Sequence, residues 1–188
     1  MSSLANAALL IIDVQRGLFD PEPRPFEADA VIDRINALSA RARAAGAPVV
    51  FIQHEDASEL VHGSDGWLLA EGLVVEPGDN YVRKTTPDSF LRTDLAALLE
   101  EHGVGQVAIC GYASEFCVDT TTRRAAALGF PVTLAADAHT THDKAHADAG
   151  RIRAHHNATL SGIGSFGPVI AAVPAAGLDF AARRASGG

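Results

Sequence analysis

The chain has little cysteine: its 188 residues include only Cys110 and Cys117, with six residues between them. Two thiols are too few for a disulfide framework, and their spacing matches neither a CxxC motif nor a zinc ribbon. We therefore expect free thiols and a reducing, cytoplasmic location. The first residues form no basic stretch, and no cleavage signal follows the first apolar run. We therefore expect neither a signal peptide nor a transmembrane segment.

Basic residues are also scarce. Lysine and arginine number 15 against 23 aspartates and glutamates, which gives a net charge of −8, and no basic run exceeds two residues. This balance disfavours nucleic acid and anionic membrane surfaces as partners. Hydrophobic residues make up 47% of the chain, which predicts a folded protein with a sizeable core. The length fits a single domain.

A glycine-rich dinucleotide motif is missing. The turn after the first apolar run, at residues 13–17, reads Asp-Val-Gln-Arg-Gly where a dinucleotide-binding oxidoreductase would carry GxGxxG. Apolar runs and helical patterns nevertheless alternate along the chain, which is typical of an α/β protein with a parallel sheet. We expect strands at about 7–14, 49–53, 81–84, 106–111 and 131–136, and helices at about 27–45, 93–102, 115–128 and 144–158.

The remaining segments are assigned by composition. Residues 54–80 are polar and contain glycine, which predicts a long loop that is functional or mobile. A short strand at 159–163 is expected to close the sheet. Residues 164–188 are rich in alanine and glycine and are expected to form a draped C-terminal tail.

Three residues with reactive or charged side chains each follow a short apolar run: Asp13, Lys84 and Cys117. Ligands of open parallel sheets bind beyond the carboxyl ends of the strands, where an acid, an amine and a thiol would form one nucleophilic site. Each residue also has an ordinary structural interpretation: a turn cap, a solvated strand end and a small buried hydrophobe, respectively. Their coincidence at one edge of the sheet favours the site.

Cys117 is expected in the first turn of a helix. The positive end of the helix dipole and its free N–H groups would stabilise a thiolate and lower the cysteine pKa from about 8.5 toward neutrality. The same N–H groups would bind an oxyanion in acyl transfer. Cys110 lies within an apolar strand, and we expect it to be buried and inert.

Candidate pocket residues are mostly aromatic. His54 directly follows a buried strand, which predicts contact with a substrate. Phe19, Trp67, Tyr112 and Phe116 would line a pocket for a flat or apolar group. Trp67, the single tryptophan of the chain, lies in the long loop; an ordinary packing role for it remains open.

His142 and His146 are four residues apart, a spacing that could place two metal-binding imidazoles on one face of a helix. Asp143, Lys144 and Asp148 surround them in the sequence, which favours a solvated helix face instead.

Three motifs in order resemble the isochorismatase-like cysteine hydrolases. Residues 11–19, Ile-Ile-Asp-Val-Gln-Arg-Gly-Leu-Phe, are similar to the opening strand motif of that superfamily. Residues 84–95, from Lys-Thr-Thr-Pro-Asp-Ser onward, resemble its lysine segment. Residues 111–118, Gly-Tyr-Ala-Ser-Glu-Phe-Cys-Val, resemble its nucleophile turn, and Asp-Ala-His at 137–139 also matches. The resemblance extends from about residue 7 to residue 165.

The resemblance implies a three-layer, Rossmann-like α/β fold with a six-stranded parallel sheet and helices on both faces, as one hydrolase domain over residues 1–188. It implies that Asp13, Lys84 and Cys117 are catalytic. It also implies a non-proline cis peptide between Tyr112 and Ala113, which would aim the Ala113 N–H, with that of Cys117, at the oxyanion. Relatives are often dimers or tetramers, so we expect a homodimer or homotetramer.

The activity implied is hydrolysis of a C–N bond in a small amide, carbamoyl or related compound. Cys117 would attack the carbonyl carbon, and Asp13 would take the thiol proton and pass it to the leaving amine. Water would then resolve the acyl-enzyme. A non-catalytic binding module on the same fold remains the alternative outside enzymes, although an intact set of three residues favours an enzyme.

Two other branches of the superfamily remain as alternatives. The isochorismatase branch cleaves a vinyl ether without the cysteine, so the presence of Cys117 argues against it. The nicotinamidase branch binds zinc through an Asp-x-His pair and a further histidine. Here the comparable segment has His54 before Asp56, with His62 further on. Because the expected order is absent, we expect neither a metal nor another cofactor.

Overall fold

The computed structural model describes residues 2–3 and 6–180, in which eight strands form two sheets. The larger sheet has six strands, all parallel, in the order β4-β3-β2-β5-β6-β7. These strands are β2 (Ala7–Ile12), β3 (Val49–His54), β4 (Asn80–Lys84), β5 (Gln106–Tyr112), β6 (Val132–Thr140) and β7 (Ile170–Val173). A separate parallel pair joins β1 (Ser2–Ser3) to β8 (Leu178–Asp179).

Helices cover both faces of the larger sheet. They are α1 (Arg16–Phe19), α2 (Ala28–Ala44), α3 (Leu95–Glu101), α4 (Asp119–Ala127) and α5 (Ala149–Ser161), with a π-helical turn at Ser114–Val118 and a 3₁₀ turn at Ala175–Gly177. Helix α2 packs on one face, and α3, α4 and α5 pack on the other. This three-layer α/β architecture confirms the fold class predicted from the sequence.

Strand β2 shows why the middle of the sheet is so apolar. Its six residues are all buried, and they alternate between two hydrophobic clusters, one on each face of the sheet. Successive side chains of a strand point to opposite faces, so a strand covered on both sides needs a continuous apolar run. The run ends at Ile12, where the chain leaves the sheet.

Helix α2 follows its sequence pattern closely. Val31, Ile32, Ile35 and Leu38 recur at helical spacing, and all four are buried against the sheet. The helix ends at Ala44, and Gly46 follows with a φ of 72°, a left-handed conformation that glycine adopts without strain. The boundaries differ from the predicted 27–45 by a single residue at each end.

The C-terminal part of the chain corrects two predictions. Residues 159–163, expected to be a strand, form the end of α5 and the turn after it, because Leu160 continues the helical packing against the core. The sixth strand is β7, which lies within the segment expected to be a tail. The last residues of that predicted tail, 181–188, lie outside the described residues.

The predicted helix at 144–158 begins later than expected, at Ala149. Asp148 caps it by accepting the N–H of Arg151 at 2.7 Å, and Asp143 accepts the N–H of Ala149 at 2.8 Å. The segment before these caps folds as a turn in which Lys144 and Ala147 bond to each other. His142 and His146 therefore share no helix face, and the arrangement considered for metal binding does not form.

None of the helices in the part of the chain that the structure describes combines the length and the apolar character needed to cross a membrane.

Candidate active site

Three side chains from separate parts of the chain meet beyond the carboxyl edge of the sheet. Lys84 Nζ lies 2.7 Å from Asp13 Oδ2 and 3.3 Å from Cys117 Sγ. Asp13 follows β2, Lys84 is the last residue of β4, and Cys117 lies in the π-helical turn after β5. Strand β3 lies between β2 and β4, so the lysine reaches across one strand to the carboxylate.

Asp13 is held in an uncommon backbone conformation. Its φ is 51°, in the left-handed region, and its N–H donates to the carbonyl of Ile52 at 2.8 Å. Few residues other than glycine adopt this region, although aspartate and asparagine tolerate it better than most. One carboxylate oxygen bonds Lys84, whereas Oδ1 is buried and has no hydrogen-bond partner among the described residues. The carboxylate thus keeps a free acceptor, which can receive a proton.

The surroundings of Cys117 favour the protonated thiol over the thiolate. Burial, followed by the negative charge of Asp13, raises the pKa of Cys117 to about 12, although the Lys84 ammonium opposes this rise. The expectation of a thiol with a pKa near neutrality was therefore wrong. The positive end of a helix favours the thiolate, but removal of the sulfur from water disfavours it more strongly.

Cys110 has no part in this arrangement. It is buried in β5, where burial raises the pKa of its thiol, and its Sγ donates weakly to the carbonyl of Leu10 at 3.6 Å. This is the inert buried thiol that the sequence predicted.

His54 contacts the buried lysine directly, with its Nδ1 3.3 Å from Lys84 Nζ. Burial and the charge of Lys84 lower the pKa of His54, so its imidazole is neutral near pH 7. An ammonium can only donate, which makes Nδ1 the acceptor and leaves the proton on Nε2. Lys84 therefore directs its three N–H groups at Asp13, His54 and Cys117.

Gln15 fixes the position of His54 and was not singled out from the sequence. Its Oε1 accepts the N–H of His54 at 2.8 Å, and its Nε2 donates to the carbonyls of His54 at 2.9 Å and Trp67 at 3.0 Å. The side chain is completely buried. The available signal was an uncharged polar residue only three positions after the apolar run of β2, because a buried amide must find partners.

The residues of the predicted long loop cover the site. Residues 55–79 contain neither a helix nor a strand, but they bond to the segment after β2. Arg16 N–H donates to the carbonyl of Leu68 at 2.8 Å, and Ala70 N–H donates to that of Val14 at 3.0 Å. These bonds fix the loop against the segment that follows Asp13.

A cavity of about 250 Å³ opens above the sulfur. The cavity is lined by residues at or after the ends of β2, β3, β4 and β5. They are Asp13, Leu18, His54, Asp56, Glu59, Leu60, Pro87, Tyr112, Ala113, Phe116 and Cys117. Phe116 is 54% exposed and stands at the mouth. This volume lies slightly below the usual range for drug-sized ligands, so the part of a ligand that reaches the sulfur must be small.

The backbone beside the sulfur has two special features. The peptide bond between Tyr112 and Ala113 is cis, as the resemblance implied. Gly111, one residue earlier, has a φ of 114°, and a Cβ at this position would overlap the backbone of Ile12. Only glycine allows β5 and β2 to approach so closely here.

Two residues expected in the pocket lie elsewhere. Phe19 is fully buried and packs edge-on against Tyr112, with 5.9 Å between ring centroids, so it supports the cavity wall from behind. Its neighbour Leu18 lines the cavity instead, because the short helix α1 turns Phe19 toward the core. Trp67 lines a different cavity and packs against His62, with 4.7 Å between ring centroids.

The residues considered for zinc have other roles. Asp56 Oδ1 accepts the N–H groups of Ser58, Glu59 and Leu60, which hold the pKa of Asp56 at about 2. Within residues 2–3 and 6–180, no group of three or more histidine, cysteine, aspartate or glutamate side chains has a geometry that could hold a metal ion.

Comparison with known proteins adds to this geometry. A family model described as the Isochorismatase domain matches residues 7–163. Streptothricin hydrolase of Streptomyces noursei is 46% identical over 140 residues, which cover 72% of this chain and 50% of that protein. The secreted isochorismatase effector Isc1 of Verticillium dahliae is 32% identical over 154 residues, which cover 80% of this chain and 81% of Isc1. The present chain thus spans about half the length of streptothricin hydrolase.

A crystal structure described as an isochorismatase family protein superimposes with a TM-score of 0.83 at 38% sequence identity. The match covers 90% of this chain and 99% of that one.

Proposed function

The chain belongs to the isochorismatase domain family, and on that premise we propose that it is a cysteine hydrolase that cleaves a C–N bond in a small amide, carbamoyl or related compound. One observation carries this proposal. The ammonium of Lys84 contacts both the Asp13 carboxylate and the Cys117 sulfur at the base of a 250 Å³ cavity.

Because the resting thiol is protonated, the attack needs a base. Asp13 takes the thiol proton as Cys117 Sγ forms a bond to the substrate carbonyl carbon. The negative charge that leaves the carboxylate appears on the sulfur, 3.3 Å from Lys84 Nζ, so the same ammonium stabilises the reactant and the attacking thiolate. Asp13 then gives the proton to the leaving nitrogen, and the C–N bond breaks.

The acyl group remains on Cys117 as a thioester until water attacks it. Asp13 accepts a proton from that water, and the sulfur regains a proton as the acid product leaves. The negative oxygen that forms in each step needs donors, for which we assign the N–H groups of Ala113 and Cys117, both residues of the cavity wall.

The test measures release of ammonia or amine from small amides, carbamoyl compounds and ureides, with streptothricin included because a relative is named for it. Native protein is compared with Cys117→Ala and with Cys110→Ala, a control that removes the other thiol. We expect turnover by the native protein and by Cys110→Ala, and none by Cys117→Ala. Intact-mass analysis during turnover should show an acyl adduct on the protein.

Other outcomes would identify the alternatives. Turnover that survives in Cys117→Ala would indicate an isochorismatase-type reaction. Turnover that a chelator abolishes and zinc restores would indicate a nicotinamidase-like amidase. Saturable binding of a panel compound without any turnover would indicate a binding module.

A further inference from the structure

A buried chain of polar side chains lies beside the nucleophile turn, and the mechanism above does not use it. Ser114 Oγ lies 2.8 Å from His139 Nδ1, and His139 Nε2 lies 2.9 Å from Asn157 Oδ1. Ser114 and His139 are completely buried. The three residues come from the π-helical turn, from β6 and from α5. They connect the turn that carries Cys117 to two elements that contribute nothing else to the site.

The direction of each hydrogen bond in this series of side chains can be assigned from Asn157. Asn157 Nδ2 donates to the carbonyl of Ala136 at 2.8 Å, so the amide oxygen of Asn157 is the atom that faces the histidine. An amide oxygen only accepts, which places the imidazole proton on Nε2. The neutral ring has one proton, so Nδ1 accepts and the Ser114 hydroxyl donates. Burial lowers the pKa of His139 to about 4, and the neutral ring is therefore the form present near pH 7.

An irregularity in the sheet places His139 at this point. Leu134 of β6 pairs with Ile109 of β5, but the next pair joins His139 to Gly111, so β6 contains extra residues between the two pairs. Within this excursion Asp137 accepts the N–H of Ala175 at 2.6 Å, which anchors the extra residues on the opposite side. As a result, His139 pairs with Gly111 and lies close to Ser114, the first residue of the π-helical turn.

Ser114 is the first residue of that turn, and Cys117 lies three residues further on. The turn is otherwise closed by the carbonyl of Ala113, which accepts the N–H groups of Phe116 and Val118, each at 3.1 Å. A hydrogen bond that fixes Ser114 therefore limits rotation of the whole turn and, with it, the position of the sulfur relative to Lys84.

We propose that His139 is a positioning residue for the nucleophile: through Ser114 it holds the turn that sets Cys117 against Lys84 and Asp13. The role in turnover rests on the proposed hydrolase function. The positional role itself concerns only the sulfur, and so it can be tested without a substrate.

The test uses two variants that each keep one half of the imidazole's bonding. His139→Asn places an amide oxygen near the position of Nδ1, so it retains an acceptor for Ser114. His139→Gln places its amide nearer the position of Nε2, so it retains the bond to Asn157 and loses the one to Ser114. Ser114→Ala removes the same bond from the other side. All three are made in a Cys110→Ala background, so that iodoacetamide reports on Cys117 alone.

We expect the alkylation rate of Cys117 at pH 9 to stay within about twofold of the parent in His139→Asn. In His139→Gln and Ser114→Ala we expect a change of about fivefold, the equivalent of one ordinary hydrogen bond. The double variant of the last two should match either one, because both remove the same contact. Where a panel amide is turned over, the same two variants should lower kcat and leave KM unchanged.

Equal alkylation rates of Cys117 in His139→Asn and His139→Gln would overturn the proposal. A correlation between the alkylation rates and the unfolding free energies of the variants would also overturn it. Should His139→Gln fail to fold, Ser114→Ala against His139→Asn makes the same comparison. A difference in alkylation without turnover of any amide would support the positional role and count against the hydrolase function.

Discussion

Lys84 Nζ and Asp13 Oδ2 lie 2.7 Å apart in a place where both side chains are almost entirely hidden from solvent, with 0% and 2% of their surface exposed. Burial of two charges is unfavourable, and their attraction offsets it only while both are present. The ion pair therefore contributes more to the arrangement of the site than to the stability of the protein. The same Lys84 ammonium lies 3.3 Å from the sulfur of Cys117, which loses a proton in the proposed reaction.

Removal of the lysine alone should destabilise the protein strongly. Lys84→Met leaves the Asp13 charge buried without a partner, and we expect a loss of about 3–5 kcal/mol in the free energy of unfolding, measured in urea. Lys84→Met combined with Asp13→Asn should recover most of that loss. Arg83→Met is the control, because Arg83 pairs with Glu55 at the surface, where solvent screens the two charges and the pair contributes little to stability. Equal losses in Lys84→Met and Arg83→Met would contradict this account.

Asp13→Asn should change two properties of Cys117 in opposite directions. The negative charge of Asp13 is one cause of the raised pKa of Cys117, so the variant should lower that pKa and speed alkylation by iodoacetamide at pH 8–9. In the proposed mechanism the variant also lacks the base, so hydrolysis of a panel substrate should slow by about 10²–10⁴-fold. Asparagine tolerates the left-handed backbone at this position. If alkylation and hydrolysis fell together, Asp13 would act on the structure of the site and not as its base.

Gly111→Ala should prevent folding. The added methyl group would overlap the backbone of Ile12, and the φ of 114° is unfavourable for alanine. Gly129→Ala is a matched control, because its φ of 97° is similarly unfavourable while the space around it is open. We expect the control to fold with a loss of about 1–2 kcal/mol. Circular dichroism and urea unfolding distinguish the two results, and a stable Gly111→Ala protein would show that β2 and β5 can separate.

His139 should make the protein less stable in mild acid. Its pKa falls from an ordinary value of 6.5 to about 4 in the folded state. The unfolded chain therefore binds more protons than the folded one between these two values, and stability falls as the pH is lowered through this range. The contribution is on the order of 3 kcal/mol.

The measurement is the difference between native protein and His139→Asn in unfolding free energy at pH 7 and at pH 4.5. The variant should lose less stability on acidification, because asparagine does not titrate. His54 and His142 also have lowered pKa values, but both proteins retain them, so their effects cancel in the comparison. An identical loss in both proteins would show that His139 remains accessible to protons in the folded state.

The sequence was sufficient to predict the α/β architecture and the meeting of Asp13, Lys84 and Cys117. Strands β2, β3 and β5 are largely apolar and are buried on both faces, and a polar residue after such a strand marks the edge where ligands bind. The chain therefore carries local signals for both the fold and the position of the site.

Other features depend on contacts between distant segments and have no local signal. Strand β7 is short and rich in alanine, so its composition resembles a tail, and only pairing with β6 makes it a strand. The bond between Ser114 and His139 requires the irregular register of β6. The raised pKa of Cys117 likewise comes from burial by loop and sheet residues, which outweighs the helix end that the local sequence predicts.

The raised pKa of Cys117 also determines how the protein meets oxidants. Peroxides oxidise thiolates to sulfenic acid and react far more slowly with thiols, so a cysteine that is protonated at rest resists this damage. Enzymes with permanently ionised nucleophiles need a reducing partner to restore them after exposure. In the proposed mechanism the sulfur becomes nucleophilic only as it attacks a substrate carbonyl, so the raised pKa would protect it from oxidants between turnovers.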